Sequence, residues 1–196
     1  MTGGRPGQDV FDLQRSAALL GAYCALERRL FELTGAWAAD PGADPSLRVP
    51  LDAWSAEHAW HAELWADRLP VLSGVDAQAL VELPGPLAEV LGELEAATPI
   101  GRLAGLARVV LPRLVTSYAR HLEVSPVASE APVRRALRLV LSDETEAWAA
   151  GEALLEARLT SPEQVGEAGS AVVSLESGLV GAGIGPGLVL WPDPRA

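Results

Sequence analysis

The 196-residue chain contains no lysine, and all 15 of its basic residues are arginine. That points to the codon bias of a GC-rich bacterial genome rather than to a task for arginine. Set against 26 acidic residues, they leave a formal charge of −11. Such a balance excludes a basic phosphate-binding surface, and with it a nucleic-acid partner. It also disfavours an anionic membrane surface. Cys24 is the only cysteine, so no internal disulfide can form, and a reducing cytoplasm is the expected compartment. A place in the core suits this thiol better than a catalytic role. Residues 1–8 are glycine-rich, are expected to be flexible, and lack the apolar centre of a signal peptide. The longest uncharged run, 177–191, is broken by glycines and Pro186, so no membrane span is expected.

Aromatics are scarce too, at 5% of a chain that is 49% apolar. Alanine and leucine take their place, and neither is branched at Cβ, which favours helix over sheet. The spacing predicts a first helix over 9–39 whose inner stripe includes Leu13, Leu20, Cys24, Glu27 and Phe31. Two prolines and a glycine break the chain at 40–46. A second helix is predicted over 52–69, with Trp54, His58, His61 and Trp65 on its stripe. Residues 71–98 carry two short helical patterns and are long enough to cross the length of a bundle. Thr98 and Pro99 read as an N-cap and first helical residue, opening a third helix over 99–123 that Pro112 should kink. A fourth helix is predicted over 132–160, with Val140, Glu144 and Ala147 on its inner face. Ser161 and Gln164 form a capping box for a fifth, which dissolves into a glycine-rich tail ending in Leu188, Val189, Leu190 and Trp191. The expected division is thus a flexible 1–8, a four-helix unit over 9–160 and a C-terminal helix with an apolar tail over 161–196.

Four ionisable residues interrupt these apolar stripes: Glu27, His58, His61 and Glu144. Burying a charge costs several kcal/mol unless it is paired or metal-bound. In an antiparallel hairpin, residues equidistant from the turn are level, and the midpoint of 27 and 58 falls inside 40–46. Glu27 should therefore face His58 and His61. A slight rotation of the second helix would instead put His58 at its margin, on the face marked by Glu57, Trp60 and Leu64.

This pattern resembles the ferritin-like di-iron carboxylate superfamily: an antiparallel four-helix bundle with a long crossover between helices 2 and 3, carrying a Glu on each of two helices and Glu-x-x-His on the others. Glu27 matches the first element and His61 the histidine of the second. His58 stands where a glutamate is expected. Glu144 matches the glutamate of the fourth helix, with Ala147 in its histidine place. Reflecting Glu144 about the second turn gives Leu111, so the bridging carboxylate of the third helix is missing. The resemblance, over residues 9–160, implies an all-α bundle with a degenerate metal site.

Three arrangements fit those four residues: a single Fe or Zn ion, no metal with imidazolium charges offsetting the glutamates, or a remnant polar network. If the core holds a pocket for a small molecule, Glu27 or Glu144 would act as base and His61 or His58 as acid. The expected function is small-molecule chemistry in bacterial biosynthesis. Its alternatives are a metal-dependent oxygenase or oxidase and a non-catalytic partner subunit. Tyr118 and His121 read either as an acid–base pair or as bundle-end residues with polar atoms in water. Arg108, Arg113 and Arg120 read as surface cations, one of which enters the vacated metal space or holds an anion. Trp54, Trp60 and Trp65 either line a cavity or fill space beside the alanines. The apolar tail is expected to dock on its own bundle or on another subunit of a homo- or hetero-oligomer.

Overall fold

The computed structural model describes residues 13–40, 44–71 and 76–189. The described chain is all-α, with no strand. Helix α1 spans Leu13–Ala39, and its expected start at residue 9 lies outside the described residues. Its stripe is wider than predicted: Leu19, Tyr23, Leu26, Leu30 and Leu33 are buried, while Leu13 and Phe31 are exposed. Helix α2 spans Pro45–Ala66, seven residues earlier at its start than predicted. The Asp44 carboxylate accepts from the Ser46 N–H at 2.9 Å, and Pro45 occupies the first turn, where its missing N–H costs nothing. Pro50 is tolerated inside the helix at the loss of one backbone hydrogen bond.

The crossover holds a 3-10 turn, Ala77–Leu80, and helix α3, Gly85–Ala96. It runs along α1: Leu80 lies against Gly21, and Arg29 pairs with Glu95 at 2.6 Å. A Cβ on Gly21 would sit 2.1 Å from the Leu80 carbonyl oxygen, so only glycine admits the turn there. Helices α4, Pro99–Gly105, and α5, Leu111–Val124, are joined through one π turn, Leu106–Val110. Where a kink is expected at Pro112, the π turn ends two residues before the ring, whose missing N–H cannot continue the ordinary ladder. Helix α6 spans Ala131–Glu156 and α7 spans Pro162–Gly181, the latter opened by the predicted Ser161/Gln164 capping box.

Residue pairs give the helix directions. Cys24, Glu27 and Phe31 of α1 meet Ala62, His58 and Ser55 of α2, so numbers rise on one helix as they fall on the other. The same opposition holds between α2 and α6, where Arg68 reaches Pro132 and His61 reaches Glu144. Arg108 meets Glu152 and Leu122 meets Arg134, which sets α5 against α6. Tyr23 meets Ser117, and Trp37 lies under Arg102 of α4, so the α4–α5 run opposes α1. Helices α3 and α7 pack outside this ring, with Leu94 and Leu175 converging on Gly105.

Residues 184–189 return over α5, and Ile184, Leu188 and Val189 are buried. The Leu188 N–H donates to Ser117 Oγ at 2.9 Å, and Arg113 donates to the Gly185 and Gly187 carbonyls. This stretch of the tail thus docks on its own chain; Leu190 and Trp191 lie outside the described residues. A Cβ on Gly187 would meet Ser117 Oγ at 2.4 Å. Gly187→Ala should therefore lift the strap and lower stability by about 1–2 kcal/mol, roughly one buried hydrogen bond and its neighbouring contacts. Urea denaturation of the two proteins measures this, and equal midpoints would show that the strap contributes nothing.

Candidate metal centre

The spacing of α2 decides the site. His58 and His61 are three residues apart, so both rings lie on the one face that α1 and α6 cover. Both are buried, at 2% and 1% exposure, as are Glu27 and Glu144. Glu57 and Trp60 are exposed, which disposes of the rotated arrangement. Both histidines turn Nδ1 inward. His58 Nδ1 lies 2.6 Å from Glu27 Oε2 and 3.3 Å from Glu144 Oε1. His61 Nδ1 lies 3.1 Å from Glu144 Oε1 and 3.7 Å from Glu27 Oε1. One ligand atom from each of the four residues fits within 4.8 Å of the other three.

Two further residues hold this arrangement, and neither was placed here from the sequence. Asp143 Oδ2 lies 3.2 Å from His61 Nε2, fixing the ring with Nδ1 facing the centre. The Tyr118 hydroxyl donates a short hydrogen bond to Glu27 Oε1. Reflection about the second turn predicted Leu111 opposite Glu144; Leu111 instead packs near Gly151, and α5 delivers Tyr118. The reflection compared Cα levels, whereas a long helical side chain leans about a turn toward the helix N-terminus. Tyr118 therefore reaches away from the second turn, toward Glu27.

The other expectations for α5 are corrected in the same region. Tyr118 and His121 are not bundle-end residues in water, since both are 0% exposed. His121 packs beside Tyr23, with ring centroids 5.6 Å apart, and does not join the four-residue cluster. The arginines stay out of the centre. Arg108 pairs with Glu152, Arg113 with Glu176, and Arg120 is exposed. Trp65 fills space against Tyr23 and Tyr118 at 5.3 and 5.5 Å, and Trp54 is buried. Cys24 is a core residue whose thiol faces the Ala62 carbonyl, and burial raises its pKa.

Burial opposes charge at Glu27, His58 and His61, yet their neighbours in the cluster favour it. Burial pushes the Glu27 carboxyl up, but the two histidines outweigh it and hold Glu27 at about 2. Burial pushes both imidazoles down, but Glu144 and Glu27 outweigh it and raise His58 to about 10 and His61 to about 11. Without a metal, therefore, the histidines are imidazolium at neutral pH. His121 goes the other way: burial and Arg134 lower it to about 4.

The donor chemistry fits one divalent transition metal. Two imidazole nitrogens and two carboxylates are a set that zinc or mononuclear iron accepts. The histidine–carboxylate separations run from 2.6 to 3.7 Å and the whole set, one atom per residue, lies within 4.8 Å, so closing on an ion with tetrahedral edges of about 3.4 Å needs shifts on the order of 1 Å. Glu144 Oε2 is buried with no hydrogen-bond partner, an orphan that a cation would satisfy. A carboxylate-bridged pair does not fit, because the described residues add no further carboxylate to the cluster. No family model, curated protein or solved structure matches the chain.

These shifts set a pH dependence for the chelator-treated protein. His58 and His61 are raised above the ordinary value near 6.5, so their contribution is complete below pH 6.5 and is lost as pH rises toward 10 and 11. His121 is depressed, so stability falls as pH drops from 6.5 toward 4, and Glu27 adds a loss between 4.5 and 2. Thermal melts should place maximal stability near pH 6.5. A melting temperature that climbs from pH 7 to 9 would contradict the ion pairing.

Proposed function

We propose that the chain is a ferritin-like bundle whose centre holds one divalent transition-metal ion, and that it performs metal-dependent chemistry on a small molecule. The observation that carries this reading is the convergence of four buried donors, one of whose carboxylates, Glu144, keeps a buried oxygen without a partner. Supporting the family reading are the two antiparallel hairpins, α1/α2 and α5/α6, and the long crossover between them along α1. Among the described residues no helix is long and apolar enough to cross a membrane.

Glu27, His58, His61 and Glu144 are the ligands in this reading. Asp143 keeps the His61 proton on Nε2, which leaves Nδ1 free to donate a lone pair. Tyr118 orients Glu27 by hydrogen bonding the oxygen that is not against His58. A bound ion supplies Lewis acidity or, for iron, one-electron redox capacity. Helix packing at the centre excludes bulk water, so proton exchange with solvent runs from the buried His61 through Asp143, which is partly exposed.

One observation favours a second reading, a metal-free acid–base cluster. His58 and His61 already pair with both carboxylates, so the group is electrically closed without a cation. Glu27 or Glu144 would then be the base and an imidazolium the acid. Elemental analysis of protein purified without chelator separates the two. The metal reading predicts about one iron, zinc or manganese per chain, reduced at least tenfold in His61→Ala. Absence of metal from the wild type, even after incubation with each ion, would leave the acid–base cluster.

A further inference from the structure

Glu27, His58, His61 and Glu144 are shut off from solvent, none more than 2% exposed, so an ion must pass a packed side chain to reach them. Two of the four have an outer counterpart at the seam of α2 and α6. Asp143 and Glu144 are successive residues of α6, about 100° apart around the helix. Glu144 turns inward, whereas the Asp143 side chain is 36% exposed. His61 spans the same boundary: Nδ1 lies 3.1 Å from Glu144 Oε1 inside, and Nε2 lies 3.2 Å from Asp143 Oδ2 outside. Among the described residues, no other member of the four is hydrogen bonded to a partly exposed side chain.

Charge points to the same edge. Two carboxylates and two imidazolium rings cancel within the closed group, so the group itself exerts little pull on a distant cation. The pull comes from carboxylates outside it. Glu57 is exposed and stands one turn before His61, on the same face of α2. Burial raises the Glu57 carboxyl, the His61 charge lowers it and the Asp143 charge raises it, so the three groups share one edge. Neither Glu57 nor Asp143 pairs with an arginine among the described residues. The Trp60 ring packs 5.4 Å from the His61 ring and is itself 43% exposed. Freeing His61 on that side therefore moves a surface side chain and leaves the aromatic layer of Tyr23, Trp65 and Tyr118 in place.

We infer that Glu57 and Asp143 form the loading port of the metal centre and that His61 is its gate. A divalent cation meets the two carboxylates first. The His61 ring swings aside to admit it and returns as a ligand, its Nε2–H again donating to Asp143. The inference rests on the metal reading of the centre and names the residues that set how fast the ion enters.

Stopped-flow uptake of Co²⁺ by the chelator-treated full chain, followed by the visible absorption of bound cobalt, tests this. Glu57 touches no ligand, so Glu57→Gln is the deciding variant. It should slow uptake roughly fivefold at low salt, the effect of one charge on a divalent ion several ångströms away, and still reach about one cobalt per chain at equilibrium. Raising salt to about 0.5 M should slow the wild type toward the variant, because screening removes the same attraction. Asp143→Asn keeps an acceptor for His61 Nε2–H and removes the charge, and it should slow uptake at low salt as well. A residue that only steadied His61 would change the amount of cobalt bound and leave the salt dependence as it was. Glu57→Gln loading as fast as the wild type, with the same response to salt, would overturn the port and leave the centre standing. No cobalt uptake by the wild type at equilibrium would overturn the centre, and the port with it.

Discussion

Two carboxylates and two imidazoles hold one another charged inside a helical core, and the placement of the surrounding helices follows from that exchange. A lone buried glutamate or imidazolium would be expelled or neutralised. Here Glu27, His58, His61 and Glu144 lie within 4.8 Å of one another, so three helices must converge at one level or leave a charge stranded. Apolar packing can slide by a turn at modest cost, whereas this set cannot. The register of α1 against α2 and of α2 against α6 is therefore specified by polar chemistry and only filled in by leucine. Tyr118 and Asp143 extend the constraint to α5 and to the surface.

That constraint explains which parts were legible in the sequence. The first hairpin was, because its turn is short and its polar residues interrupt an otherwise apolar period; equal distance from the turn paired Glu27 with His58, as found at 2.6 Å. The second hairpin was not, because Tyr118 acts through its length. A rule based on Cα level selected Leu111 and missed the hydroxyl that leans a turn away. Asp143 could have been found by the same geometry, since it precedes Glu144 and faces the outer nitrogen of His61. Helix α2 starts earlier than its spacing predicts because Asp44 makes Pro45, part of the expected break over 40–46, an N-terminal residue of the helix. Nothing in the spacing of Arg108, Arg113 or Arg120 shows that Glu152 and Glu176 hold the first two outside.

The rest of the fold protects the centre. The crossover closes the α1 flank, with Gly21 admitting Leu80 and Arg29 tying down α3. The strap over residues 184–189 closes α5 and is fastened to Ser117, whose own carbonyl accepts from Tyr23. Tyr23, Trp65 and Tyr118 form an aromatic layer between the strap and the cluster, with centroids 4.7–5.5 Å apart. Such a layer excludes water without adding a competing charge, which keeps the electrostatic interactions at the centre strong.

The most direct test of the metal centre is anomalous diffraction from crystals of the protein grown with zinc or manganese. A single anomalous peak between the Nδ1 atoms of His58 and His61 and the carboxylates of Glu27 and Glu144 is the predicted result. Two peaks at that level, or ordered crystals with no peak among those four residues, would contradict it.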